Sequence, residues 1–200
     1  MSDLTASLTQ PSPNSVGRRL AIPHAVLGVL LFVVCEVMFF GGLISAYLVG
    51  SAGQSWPPAD QPRLPVITTL FNTVVLLCSG WFMYRASLPQ RNNSKAEATS
   101  STPLAITIGL GVFFVVFQGY EWVQLIQFGL TIQSSTYGAF FYLIVGIHAL
   151  HVIAALVALL YVYVRLKQGR LTSGTFGAAK IFWYFVVGLW PVLYILVYLN

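Results

Sequence analysis

Five long apolar runs leave this chain few ways to fold. They cover residues 23–49, 64–88, 103–128, 137–166 and 175–199. About 20 apolar residues suffice to cross a bilayer as a helix. Inside hydrocarbon the backbone must satisfy its own N–H and C=O groups, and a helix does so within one segment. Of the 200 residues, 57% are hydrophobic and only 8% charged, against about 25% charged in a soluble domain. The fold class is therefore all-α integral membrane, a bundle of five transmembrane helices within residues 21–200. In such a chain the net charge of +5 reports topology, and no nucleic-acid partner is expected.

The linkers carry the helix breakers. The stretch 51–65 holds Trp56-Pro57-Pro58, 89–102 is polar, 128–136 is short and uncharged, and 168–174 contains two glycines. Basic residues fix the direction. Arg18 and Arg19 precede the first span. Arg85, Arg91 and Lys95 flank the second linker, and Arg165, Lys167, Arg170 and Lys180 flank the fourth. The opposite side has only Arg63. This asymmetry places the N-terminus in the cytoplasm and the C-terminus on the periplasmic side. Residues 1–20 lack the apolar core of a secretory signal and read as a disordered cytoplasmic tail. Cys35 and Cys78 lie inside apolar spans and read as small buried residues.

Within the spans, polar side chains are the informative positions. Glu36 is the one charge in the first run, and a carboxylate at that depth costs several kcal/mol. Gln118 and Glu121 lie three apart, on one face of the third span, and His148 and His151 do so on the fourth. The short linker makes these two spans an antiparallel hairpin, so a Glu121–His148 contact across it is geometrically reasonable. Three readings of the cluster stay open. Glu121, His148 and His151 suit a metal site by residue type but lack further ligands. Intramembrane Glu and His also form proton relays. The third reading is a satisfied polar network that locks helices together or binds lipid headgroups. Gly41 and Ser45, and Gly42 and Ala46, are four apart and mark close helix approach, as does Gly146 on the fourth span. Pro191 is expected to kink the fifth. No nucleophile–base set, phosphate loop or Cys ligand pair is present, which points to an accessory subunit of a larger membrane complex.

Read in order, the motifs resemble subunit III of the haem–copper terminal oxidases in its compact five-helix bacterial form. They are Phe32-Val33-Val34-Cys35-Glu36 before Phe39-Phe40, then Trp56-Pro57-Pro58, then Asn72-Thr73 with Leu76-Leu77 and Ser79. Gln118-Gly119-Tyr120-Glu121-Trp122 and Gly146-Ile147-His148-Ala149-Leu150-His151 complete the set. The resemblance covers nearly all the chain from His24. It implies a subunit without haem or metal of its own, in a bacterial inner membrane. Haem and copper would sit in partner subunits I and II, which reduce oxygen and translocate protons. It also implies bound phospholipid, support of proton uptake and sustained turnover, and a place in a respiratory supercomplex. Glu36 matches the family's buried, proton-related carboxyl, and Glu121, His148 and His151 its other polar cluster. Asn72 falls in the family's Asn-Thr stretch, at a helix-packing position. Tyr184 and Val187 stand where the family usually has His and Asp. That departure leaves a quinol oxidase or nitric oxide reductase partner as the alternative. An independent transporter fits less well, because the helix count is odd and no inverted repeat appears.

Overall fold

The computed structural model describes residues 23–52, 64–88 and 96–199, with side chains in the last segment from 101 onward. The tail read at 1–20 and the Trp56-Pro57-Pro58 loop lie outside the described residues. The described residues form five helices: α1 (His24–Ser51), α2 (Val66–Ser87), α3 (Ala96–Gln127), α4 (Thr136–Lys167) and α5 (Ser173–Tyr198). All five are long and apolar enough to cross a membrane, and the described residues contain no strand.

Four helices keep within about two residues of their apolar runs. The third does not. α3 begins at Ala96, inside the stretch read as a polar linker, and carries Pro103 within it. Ala96 and Ala98 are strong helix formers. Pro103 is the eighth residue of α3 and has no N–H to give the carbonyl one turn back, so the helix continues through it at the cost of one intrahelical bond. α5 likewise continues through Pro191.

Both described hairpin turns close on a left-handed glycine. After α3, Gly129 (φ 91°) lets Leu130 N–H reach back to Leu125 C=O at 3.0 Å, and Gly129 N–H to Ile126 C=O. After α4, Gly169 (φ 64°) does the same for Arg170 N–H and Arg165 C=O. These paired bonds satisfy carbonyls that a helix end leaves free. The following helices open on side-chain caps. Ser135 Oγ accepts from Gly138 N–H at 3.0 Å, and Thr172 Oγ1 accepts from Thr175 N–H at 3.3 Å.

α5 is the most buried helix and α1 the least. α5 packs on α1, α2 and α4; α3 lies between α2 and α4; α1 meets only α4 and α5. On α5 the buried side recurs at three- and four-residue steps through Phe176, Ala179, Trp183, Val186, Val187, Trp190, Leu193, Tyr194 and Val197. Trp183 and Trp190 are fully buried. The outer surface is apolar as well, with Leu31, Met38, Val49, Ile67 and Leu150 exposed. A soluble protein does not show so apolar an exterior over its whole height. Cys35 and Cys78, read as buried, lie on this outer surface. A thiol is apolar enough to sit against lipid as readily as in a core.

Candidate functional site

The polar side chains gather at two places. The first joins α1 to α4. Glu36 Oε2 lies 3.1 Å from His151 Nε2, with about 15% and 14% of the two side chains exposed. The contact is within ion-pair reach but off the straight line of a hydrogen bond. His151 Nδ1 lies 2.8 Å from the Ile147 carbonyl one turn back. Three phenyl rings surround the imidazole. Phe40 is edge-on at 5.5 Å, Phe182 edge-on at 6.4 Å and Phe32 stacked at 6.4 Å. The charge in the first span is thus met by a histidine that brings a basic nitrogen into the same apolar layer.

The second place is a network among α2, α3 and α5. Glu121 Oε2 bonds to Thr69 Oγ1 at 3.0 Å and accepts from Gln118 Nε2 at 3.1 Å. Gln118 Nε2 also donates to the Tyr198 hydroxyl at 3.1 Å. Asn72 Nδ2 donates to the Phe114 carbonyl at 3.2 Å and lies 3.5 Å from Gln118 Oε1. Thr73 Oγ1 donates to Thr69 C=O and accepts from Trp190 Nε1 at 2.9 Å. Tyr194 donates to the Val66 carbonyl at 3.0 Å. Thr69, Asn72, Gln118, Glu121 and Tyr198 are all buried. The sequence singled out Gln118, Glu121 and Asn72, quoted Thr73 only as part of a motif, and missed Thr69, Trp190, Tyr194 and Tyr198. Their signal was weak, since single hydroxyls and aromatics are common in apolar helices.

The expected Glu121–His148 contact does not form. Glu121 lies six residues before the end of α3 and His148 twelve after the start of α4, about 9 Å apart in depth. Glu121 turns toward α2 and α5. His148 is fully buried, stacked on Trp190 with ring centres 5.1 Å apart, and neither ring nitrogen has a hydrogen-bond partner. The acid–imidazole pair that does form is Glu36–His151. Among the described residues, no three His, Cys, Asp or Glu side chains gather as metal ligands.

The small residues divide into two groups. Gly146 faces α3, where a Cβ would make an ordinary contact with the Trp122 indole at 3.7 Å. Gly41, Gly42 and Ser45 instead face outward on α1, and a Cβ on either glycine would meet nothing within 4 Å. At the two departures from the family pattern, Val187 is buried against α2, its Cγ1 3.1 Å from where a Gly80 Cβ would stand. Tyr184 is half-buried.

The class of molecule is set by these features: a polytopic helical membrane protein whose acids Glu36 and Glu121 are each met by polar side chains of neighbouring helices. Comparison with known proteins gives the family. The family model for cytochrome c oxidase subunit III matches residues 20–200, and the chain belongs to that family. A cytochrome c oxidase subunit 3 of Synechocystis sp. is 37% identical over 179 residues, covering 87% of this chain and 75% of the relative. Its counterpart in Corynebacterium diphtheriae is 32% identical over 180 residues, covering 86% of each. The horse subunit, from Equus caballus, is 34% identical over 184 residues, 86% of this chain and 67% of its own. Membership implies a place in a complex with other oxidase subunits.

Proposed function

We propose that this chain is the accessory, non-redox subunit of a proton-pumping haem–copper oxidase in a bacterial plasma membrane. Haem and copper sit in partner subunits I and II, where oxygen is reduced. This subunit supports their assembly, their proton uptake and their sustained turnover, and holds phospholipid along its outer surface. Its N-terminus is cytoplasmic. In support of that direction, Arg85, Arg165 and Lys167 end α2 and α4, each over an aromatic ring four residues earlier: Trp81 at 4.7 Å, Tyr161 at 5.2 Å and Tyr163 at 5.6 Å.

The observation that carries the reading is the pairing of intramembrane acids. Glu36 meets His151 and Glu121 meets Thr69 and Gln118, an arrangement suited to support and proton handling rather than to holding a redox centre. The test is purification through a tag on this chain from native membranes. A haem–copper subunit I is expected to co-purify, and the isolated chain to show no haem absorbance. Stoichiometric haem, iron or copper in the isolated chain would overturn the reading. The replacement of His and Asp by Tyr184 and Val187 favours a second reading, the same fold serving a quinol oxidase or nitric oxide reductase. The identity of the co-purified catalytic subunit decides between them.

A further inference from the structure

We infer that Glu121 is held as an uncharged carboxylic acid whose O–H points at Thr69, and that this proton keys α3 onto the first turn of α2. The hydrogens around Glu121 Oε2 can be counted. Thr69 Oγ1 has one hydrogen and faces two oxygens, the Pro65 carbonyl at 2.9 Å and Glu121 Oε2 at 3.0 Å. The carbonyl can only accept. An ionised Glu121 can only accept as well, so one of the two contacts would set lone pairs against lone pairs. A proton on Oε2 closes the count: Glu121 donates to Thr69, and Thr69 donates to Pro65. Thr68 Oγ1, 3.0 Å from the same carbonyl, brings a hydrogen to Pro65 but none to either contact of Thr69.

The surroundings agree. Glu121 is 3% exposed. Among the described residues, no Lys, Arg or His nitrogen lies within ion-pair reach of its carboxyl. A buried carboxylate without a countercharge carries a heavy desolvation cost. Its polar neighbours are uncharged: the Gln118 amide divides its two hydrogens between Glu121 Oε2 and the Tyr198 hydroxyl, 3.1 Å from each. Glu121 Oε1 is buried with no hydrogen-bond partner. In a carboxylate that oxygen would hold half the charge with no donor. In the acid it is a carbonyl, which costs less to leave bare.

A metal ligand must be ionised, and a relay must pass its proton on. Glu121 does neither, because its proton lies between fixed partners. Of the readings open to its cluster, the network that locks helices together is the one that fits Glu121. It is a positioning residue that acts through Thr69. The chain Glu121–Thr69–Pro65 runs from α3 to the carbonyl at the head of α2, which also takes the Thr69 N–H at 3.1 Å. Nothing in this rests on the oxidase assembly.

Infrared spectroscopy of the purified complex at neutral pH tests it. Glu121→Gln keeps an N–H against Thr69 and should assemble. The native-minus-Glu121→Gln difference should contain the carbonyl-stretch band of a protonated carboxyl, lost in the variant, and no carboxylate bands. Thr69→Val reads the same proton without touching the acid. It removes the acceptor, so the Glu121 band should move up in frequency. Thr69→Ser keeps the hydroxyl and should leave the band in place. Carboxylate bands in the first difference overturn the inference. So does a band that Thr69→Val leaves unmoved, because the proton then points elsewhere.

Discussion

Trp190 Nε1 donates from the ring edge to Thr73 Oγ1 at 2.9 Å while a face of the same indole stacks on His148. One side chain of α5 thereby links α2 to α4, and Phe114 of α3 packs edge-on against it at 5.0 Å.

Trp190→Phe should be the most damaging conservative change in the core. It removes the indole donor and part of a fully buried ring, leaving Thr73 and His148 against a gap. A loss of about 1–3 kcal/mol is expected, read as a lower midpoint in detergent unfolding. An unchanged midpoint would mean the indole does not bind the helices together.

Glu121→Gln and Glu121→Leu separate hydrogen bonding from packing. The amide can still accept from Gln118 and bond to Thr69, so Glu121→Gln should fold and assemble nearly as the native chain does. Glu121→Leu strands both partners at a cost of about 1–3 kcal/mol. Thermal inactivation of the purified complex checks the order, and equal loss in both variants would assign the site to the charge itself.

Glu36 is open to the outer surface at about 15% and Glu121 at 3%. A membrane-soluble carbodiimide should therefore reach and label Glu36 and spare Glu121. Peptide mapping by mass spectrometry gives the answer. Glu36→Ala should shorten the working life of the complex more than it lowers the initial rate of oxygen reduction. Immediate and complete loss of rate in an intact complex would make Glu36 catalytic.

Alanine at two glycines should give opposite results. At Gly111 a Cβ would stand 2.6 Å from Trp183 Cη2 and 2.7 Å from Leu156 Cδ2, so Gly111→Ala overpacks the core by about 1–3 kcal/mol. At Gly41 the space is open, and Gly41→Ala should leave folding unchanged or improve it by up to about 1 kcal/mol. Unfolding midpoints of the isolated chain measure both. If Gly41→Ala keeps that midpoint yet loses its partner subunit during purification, the outer stripe of α1 is the docking face.

The five spans were legible because hydrocarbon demands length and apolarity, and both can be counted. Which side of each span faces inward was not. Lipid is as apolar as the protein core, so Met38 outside and Met83 inside leave the same mark on the sequence. The same ambiguity hid the outward stripe of Gly41, Gly42 and Ser45, and the position of α5 at the centre. Glu36, Gln118, Glu121 and His151 were legible as polar groups that need partners. Pairing was harder to read. The short α3–α4 hairpin suggested Glu121 with His148, whereas His151 finds its acid on α1, more than a hundred residues away in the chain.

The central place of α5 bears on how the bundle is made. Of the five spans it is the last in chain order, so it leaves the ribosome after the other four. Until then Thr73 has no indole and Gln118 no phenol. Before α5 arrives, the earlier spans hold only the bonds they make among themselves, such as Thr73 to Thr69 and Gln118 to Glu121. Trp190 and Tyr198 then add the contacts that tie α5 to α2 and α3, so the last span in the chain completes the core.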